Sequence, residues 1–497
     1  MPRIQEQKPH VVMLPFLAQG HIIPMVDLAK LLAKRGVTIS ILTTPVNAAR
    51  FQSVIDRAIG TGLDIHVRHL KFPCSEVGLP DGCESFDLLT SNDDVMKIFK
   101  AIDMLKDQVE ESLRQLKPSP NCLIADACFP SWATKVPLKL NIPRTLFYAS
   151  NCFSQLCKQI LHTCKELEAV TSDTEYFVMP RFPDRIELTK AQIRGALSNP
   201  NFEWDDFWNE MRAAEERAFG SVFANTFEEL ESEYVKIYKK DTGKRAWGVG
   251  PVSLCNEDYS DKIERGNNVH VAENKRCLEW LDSKEPGSVV YVCLGSQFIP
   301  ATLQLIELAL GLESSNKPFI WVLKNASEES EKWLLEEKFE ERIKDRGLLI
   351  RGWAPQMLIL PHPSIGAFLT HCGGNSMLEA IAAGVPMITW PIFADHFCNE
   401  KLIVEVSKIG LRLGVEKPVF LEDPDEVTVQ VKKDEIKRVI EKLTEEGEEA
   451  NEMRKRAKEL RETAKKAVEK GGSSYVNVTS LIQDAVAEQA RLGGRHE

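Results

Sequence analysis

The chain holds 497 residues, too many for one hydrophobic core, and two large domains suit that length. Its composition, 43% apolar, 27% charged and 8% aromatic, excludes disordered and collagen-like classes. A net charge of −11 argues against nucleic acid or an anionic membrane as the main partner, because either needs a basic face; phosphate, if bound, must be bound locally.

Along the chain, "MPRIQEQKPHVVMLPF" carries too short an apolar run for a signal-peptide core. "HVVMLPF" is expected to be a strand. "IIPMVDLAKLLAKRG" is expected to be a helix, with Val26, Ala29 and Leu32 at helical spacing before Gly36 ends it, and "VTISILTT" a second strand. A strand, loop, helix, strand unit calls for parallel pairing. It leaves His21 in the loop at the carboxyl end of the first strand. "CLIADACF" and "PRTLFYAS" read as further buried strands, the former ending near Asp126. Residues 255–276, polar and bearing Gly and Asn, read as an interdomain linker.

The second half repeats the plan, with strands expected at "SVVYVCLGS", "PFIWVL", "GLLIRGW", "IGAFLTH" and "VPMITWP" and helices at "PATLQLIELALGLES" and "SMLEAIAAG". The uncharged stretch from Gly352 to Leu378 is interrupted by Pro355, Pro361, Pro363, Gly366 and Gly373, which fits a buried α/β segment and no membrane span. "DPD" at 423–425 reads as a solvated turn, not a metal-binding DxD. The mixed charges of residues 441–472 read as the solvated face of one or two helices. Twelve cysteines without a CxxC pair or zinc spacing point to reduced thiols in the cytosol, which makes the sequons at Asn325 and Asn477 chance matches.

Two doubly wound α/β halves place a crevice at the carboxyl ends of their sheets, where ligands of this architecture bind. "THCGGNSMLEA", residues 370–380, sets a strand end and small residues before a helix expected to start near Ser376. Such a helix start suits phosphate. His371, Asn375 and Ser376 add side-chain groups, and Glu379, expected in the first turn, offers a carboxylate to a vicinal diol. The competing reading is a helix capped by Asn375 or Ser376, with Glu379 completing a capping box. Upstream, "GWAPQ" supplies an aromatic platform at Trp353 and an amide at Gln356. Downstream, "PIFADHFCNE" supplies Asp395 and His396 for hydroxyls. These parts follow the order of the parts of a nucleotide sugar.

The stretch from Trp353 to His396 resembles the signature box of the plant UDP-dependent glycosyltransferases of family 1. "PFLAQGHIIPMVDLAKLLAKRGV", "TTPVNAARF", "GPVSLCN", "CLEWLDSKEPGSVVYVCLGS" and "HFCNEKLIVEV" resemble the group of that family that includes many triterpenoid- and steroid-glycosylating enzymes. The resemblance implies a GT-B fold of two Rossmann-like domains, with the acceptor site in residues 1–254 and the donor site in 277–465. Residues 466–497 are then expected to form a helix and tail that pack back on the first domain. It implies inversion at the anomeric carbon, no metal, and no cofactor beyond the UDP-sugar co-substrate.

By position, the resemblance implies that Trp353 stacks on uracil, that Ala354 and Gln356 help hold the nucleoside, and that Glu379 binds the ribose. His371, Asn375, Ser376 and the Gly295–Ser296 turn would bind the diphosphate, Gly20 and Gly373 would belong to the donor site, and Gly374 would lie next to the sugar. Asp395 and His396 would hold the sugar. His21 in "AQGHIIP" matches the family's catalytic histidine, and a neutral imidazole suits a base at cytosolic pH. Asp126 matches the aspartate that orients it. The bland readings are a helix-start histidine bonded to backbone and a capping aspartate. The chain departs from the family twice: Gly374 stands where Trp is usual, and His396 stands where glucose-using members carry Gln. The second departure tilts the donor from UDP-glucose toward UDP-galactose.

The expectation is therefore an inverting UDP-hexose glycosyltransferase, cytoplasmic and monomeric, moving galactose or glucose to a hydroxyl of a triterpenoid or steroidal aglycone or saponin. A flavonoid O-glucosyltransferase is the alternative within the family, and a non-catalytic nucleotide-sugar-binding protein the alternative outside enzymes. A dinucleotide oxidoreductase should show GxGxxG after the first strand, which "FLAQGH" lacks, and no GxSxG elbow of a serine hydrolase is present.

Overall fold

A computed structural model describes residues 8–494 other than 90, 195–203, 266–270, 297–299, 325 and 420–428. The first half carries strands β1 (His10–Leu14), β2 (Thr38–Thr43), β3 (Ile65–His69), β4 (Cys122–Asp126), β5 (Arg144–Tyr148), β6 (Tyr176–Val178), β7 (Glu187–Thr189), β8 (Gly220–Phe223) and β9 (Arg245–Gly248). The second carries β10 (Val289–Cys293), β11 (Phe319–Leu323), β12 (Gly347–Arg351), β13 (Ile365–Thr370), β14 (Met387–Thr389) and β15 (Gly410–Arg412). A seven-stranded sheet runs in the order β3-β2-β1-β4-β5-β8-β9 and a six-stranded sheet in the order β12-β11-β10-β13-β14-β15. Every pairing within these two sheets is parallel. Among the described residues, only the short β6–β7 pair is antiparallel.

Parallel strands are covered by helices on both faces, so they must be apolar on both. β1, β4, β5 and β13 are buried throughout. In each sheet the strand order reverses once, between β1 and β4 in the first and between β10 and β13 in the second. Loops leaving neighbouring strands at such a point diverge to opposite faces and open a crevice. His21 follows β1 and Asp126 ends β4; Ser296 follows β10 and His371 follows β13. The fold is thus the α/β GT-B arrangement of two Rossmann-like domains.

Several expectations need correction. The first helix spans Gln19–Lys34, so His21 lies inside its first turn and not in the preceding loop. The donor-side helix starts at Gly374 and runs to Ala383, which moves Glu379 into its second turn. Residues 255–265 are no free linker. They contain the helix Tyr259–Glu264, where Asp261 takes Lys30 and Arg57 as partners and Glu264 takes Ser53 and Arg57. The "DPD" at 423–425 and Asn325 lie outside the described residues.

The charged run forms two helices, Lys433–Thr444 and Glu448–Val468. The helix Ser473–Gly493 then crosses back to the first sheet, where Val478, Leu481 and Ala485 join the cluster of Val11, Ile124, Val222 and Trp247. Asn477 donates to the Gly248 carbonyl at 2.9 Å, and Arg35 stacks 3.5 Å above the Tyr475 ring. All twelve cysteines are free thiols. No helix among the described residues is long and apolar enough to cross a membrane.

Candidate active site between the two sheets

At the switch point of the first sheet, His21 Nδ1 lies 2.7 Å from Asp126 Oδ2. The other carboxylate oxygen accepts the Cys128 N–H at 2.9 Å, and the Asp126 carbonyl accepts Arg144 Nη2 at 2.9 Å. Asp126 is therefore fixed from three sides and almost wholly buried, while 30% of the His21 side chain remains exposed. Phe16 packs edge-on against the imidazole at 5.4 Å and against Phe129 at 5.9 Å, forming an apolar wall beside it. Burial pulls the His21 pKa down, but the charge and hydrogen bond of Asp126, with Asp395 adding from across the crevice, outweigh it, and the net shift is upward. Asp126 thus selects the neutral tautomer with its proton on Nδ1, leaving Nε2 as the basic nitrogen.

On the facing side, helix Gly374–Ala383 begins at an N-cap, Gly373, that makes no side-chain cap bond. Neither Asn375 nor Ser376 caps it, so the N–H groups of its first turn have no partner within the helix and the positive helix end faces the crevice. The His371 ring fills the space between two glycines. A Cβ at Gly295, where φ is +86°, would sit 2.7 Å from His371 Nε2, and one at Gly373 would also overlap the ring. Both positions require glycine for this close approach. His371 Nδ1 is buried without a protein partner among the described residues. Burial first, then His396, lowers the His371 pKa to about 3. Burial also lowers that of His396 to about 3. The two rings meet edge-on at 4.8 Å. Both are neutral, so an anion here is met by N–H dipoles and not by an imidazolium. His396 Nδ1 accepts the N–H of Phe393 at 3.3 Å, which puts its proton on Nε2. Asp395 accepts Asn399 Nδ2 at 3.1 Å.

Further along, Trp353 is half-buried, next to the buried Ala354, and the Lys324 ammonium lies 5.9 Å from its ring centroid. Gln356 Nε2 donates to Ser376 Oγ at 3.0 Å and to Glu379 Oε2 at 2.7 Å. Glu379 Oε1 accepts Arg265, whose guanidinium also reaches Asp27 of the first helix at 2.8 Å. Both Glu379 oxygens are occupied, and a diol arriving there must share or displace these donors.

The crevice is closed by polar bonds between domains. Asn375 Nδ2 donates to the Gly20 carbonyl at 2.9 Å, and Asn225 Nδ2 donates to Asn375 Oδ1 at 2.7 Å. Asn399 accepts Asn151 Nδ2 at 2.6 Å and donates to the Cys372 carbonyl at 2.7 Å. A Cβ on Gly374 would lie 3.0 Å from the Ala149 carbonyl and 3.1 Å from Asn225 Nδ2. The missing side chain therefore leaves no empty space, because the first domain fills it. Gly374→Trp is expected to force the domains apart at this point and to cost about 1–3 kcal/mol of overpacking, measured as a lower denaturant midpoint than that of Gly374→Ala.

Contacts join His21 to Asp126, Gly20 to Asn375, Gln356 to Ser376 and Glu379, His371 to Gly373 and His396, and bring Gly374 against the first domain, with Asp395 beside His396; Ser296, Trp353 and Ala354 are placed by their strand ends and loops alone. Sequence reasoning missed Asp27, Arg265, Asn225 and Asn399. Asn399 stands inside "HFCNEKLIVEV", but no local pattern marks it as an interdomain contact.

Comparison with known proteins finds relatives along nearly the whole chain. A family profile described as "UDP-glucoronosyl and UDP-glucosyl transferase" matches residues 266–415, and one described as "Glycosyltransferase, N-terminal domain" matches residues 7–254. The chain is 51% identical to UDP-glycosyltransferase 73C3 of Arabidopsis thaliana over 478 residues, 96% of each chain. Among solved structures it is similar to Glycyrrhiza uralensis UGT73P12 complexed with glycyrrhetinic acid 3-O-monoglucuronide, at 36% identity and a TM-score of 0.89 over 98% of each chain. It is also similar to Arabidopsis thaliana UGT89C1 complexed with UDP-L-rhamnose, at 30% identity and a TM-score of 0.73, covering 97% of this chain and 100% of that one.

Proposed function

Because the chain belongs to the plant family 1 UDP-dependent glycosyltransferases, we propose that it transfers galactose or glucose, with inversion and without a metal, to a hydroxyl of a triterpenoid or steroidal acceptor. The observation that carries this reading is the 2.7 Å His21–Asp126 hydrogen bond at the floor of a crevice whose far wall carries Asp395 and the start of helix Gly374–Ala383.

In this reading, His21 Nε2 takes the proton of the acceptor hydroxyl as its oxygen attacks the anomeric carbon. Asp126 holds the ring by Nδ1 and stabilises the imidazolium that forms. The bond to the diphosphate breaks on the opposite face, and the departing charge meets the N–H groups of the helix start, with Asn375, Ser376 and the neutral His371 beside them. Trp353 and Ala354 take the base, Glu379 the ribose, and Asp395 and His396 the sugar hydroxyls. Placing both the nucleophile and the donor in one crevice supplies much of the rate through orientation.

Only the neutral form of His21 can act as the base, and its pKa is raised above the ordinary 6.5. The rate at limiting substrate, kcat/KM, is therefore expected to climb with pH through an acid limb centred above that value. Asp126→Asn removes the charge that raises the pKa but leaves the burial that lowers it. The limb is expected to move to lower pH in that variant as turnover falls, and pH profiles of both proteins check this.

His396, standing where glucose-using members of the family carry Gln, supports galactose as the donor sugar, and its 4.9 Å contact with Phe393 holds the ring that would face a hexose hydroxyl. The triterpenoid monoglucuronide held by the similar Glycyrrhiza protein supports the acceptor class. The test is a competition between equimolar UDP-glucose and UDP-galactose with a triterpenoid aglycone, its monoglucuronide and a flavonol, the epimeric products being separated before mass spectrometry. A galactosylated triterpenoid is the expected product. A glucosylated one overturns the donor assignment, transfer to the flavonol alone overturns the acceptor class, and UDP binding without any transfer favours the binding-only protein.

A further inference from the structure

Beside the His21–Asp126 pair lies a third group with no part in glycosyl transfer. Cys128 is two residues beyond Asp126, on the turn that follows β4, and its thiol is half-buried at the edge of the crevice. One ligand atom from each of His21, Asp126 and Cys128 falls within 4.8 Å of the others. Imidazole nitrogen, carboxylate oxygen and thiol sulfur are the three donor types that zinc takes, and three protein ligands with an open fourth position make a usual zinc geometry. A tetrahedral ion with bonds of about 2.0–2.3 Å needs its ligands roughly 3.3–3.7 Å apart. The 2.7 Å His21–Asp126 separation would have to open by about half an ångström, which the exposed side of the His21 ring leaves room for.

We propose that His21, Asp126 and Cys128 form an inhibitory site for a thiophilic divalent cation, zinc above all, and that its occupation switches off the catalytic pair. The inhibition clause rests on His21 being the base; the binding clause does not. The proton inventory shows why occupation stops the reaction. The resting pair holds the ring proton on Nδ1, between His21 and Asp126. The cation takes that nitrogen's lone pair, so the neutral ring must carry its proton on Nε2. The nitrogen that should accept the acceptor's proton is then already protonated. Cys128 loses its thiol proton to solvent and binds as thiolate, so one proton is released per ion, and no bond to carbon or redox change is involved. The ion's two positive charges meet one carboxylate and one thiolate, leaving the buried site without excess charge. The nucleotide sugar competes with this state only indirectly, since all three ligands belong to the first domain.

The experiment uses the full chain, stripped of metal with a chelator, and two probes. In the first, zinc is titrated into the glycosyl-transfer assay. In the second, cobalt(II) is added without substrates and the absorption spectrum recorded, since a cobalt–thiolate bond gives a charge-transfer band that oxygen and nitrogen ligands do not. The variants are Cys128→Ser and, as a control, Cys164→Ser, whose thiol donates to Glu166 Oε2 at 2.6 Å and has no contact with the pair. Loss of even an outer partner of a ligand costs about 10–100-fold in metal affinity. Cys128→Ser is therefore expected to keep metal-free turnover, to raise the half-inhibitory zinc concentration at least about tenfold, and to lose the band. Cys164→Ser is expected to behave as the unmodified chain. If Cys128→Ser lowers metal-free turnover, Cys128→Ala read by the cobalt band alone decides the binding clause. Equal zinc inhibition in the two variants, or a band that survives loss of Cys128, overturns the site. A band with no loss of transfer overturns His21 as the base while leaving the site in place.

Discussion

Replacing His21 with Ala is expected to lower turnover by about 10²- to 10⁴-fold while leaving UDP binding close to that of the unmodified chain. The asymmetry follows from where the ring sits. His21 belongs to the first domain and bonds to Asp126 there, and the residues expected to hold the nucleotide belong, Gly20 apart, to the second. Its removal takes away the proton acceptor and leaves an apolar gap beside Phe16. Calorimetry of UDP binding alongside single-turnover transfer separates the two effects. An Ala variant that binds UDP normally and transfers at an undiminished rate would show that the proton leaves by another route.

The second large effect is expected at Glu379. Two hydrogen bonds from a diol to a carboxylate are worth about 1.5–3 kcal/mol each, so Glu379→Ala is expected to raise the donor KM and the UDP dissociation constant about a hundredfold or more. Turnover at saturating donor should change far less, because the ribose is remote from the bond that breaks. The variant also leaves Arg265 with Asp27 as its remaining carboxylate partner and Gln356 with Ser376 and Tyr291. Glu379→Gln keeps the shape, loses the charge, and is expected to fall between the two. An unchanged UDP affinity in Glu379→Ala would remove Glu379 from the ribose site and leave it as the anchor of the Arg265 bridge.

Most of this architecture was legible in the sequence, because its signals are local. Strands buried on both faces read as short apolar runs, and β1, β2, β4, β5 and β10 to β14 all fall inside the runs expected of them, whereas the three-residue β15 was not foreseen. The box from Trp353 to His396 was legible for the same reason: it is one continuous stretch whose spacing survives folding. β8 and β9 were not foreseen, since four residues such as Gly220–Phe223 or Arg245–Gly248 are too few to display a period. Nor was the role of the stretch after residue 255. Its polarity suggested a solvated linker, yet Asp261 is buried and the Arg265 side chain is only 9% exposed, each in an ion pair with a partner more than a hundred positions away. Asn225 with Asn375 and Asn151 with Asn399 pair across similar separations. Such bonds depend on how two domains face each other, and no window of sequence contains both partners. The early start of the first helix has a different cause: Gly20 is a poor helix former, so the apolar run from Ile22 marked the start instead of Gln19.

The helix Ser473–Gly493 has a consequence for how the protein is made. It places Val478, Leu481 and Ala485 in the core under β1, β4 and β8, although the last strand of that sheet ends at Gly248. On a ribosome, the first sheet can pair its strands early and the first helix can cover part of this face, but the part that Val478, Leu481 and Ala485 cover stays open until roughly 200 further residues have followed. At about 5–20 residues per second that interval lasts tens of seconds, during which the whole second domain is synthesised. Completion of the first domain is thereby timed after the second, and the two cannot mature in the order in which they emerge.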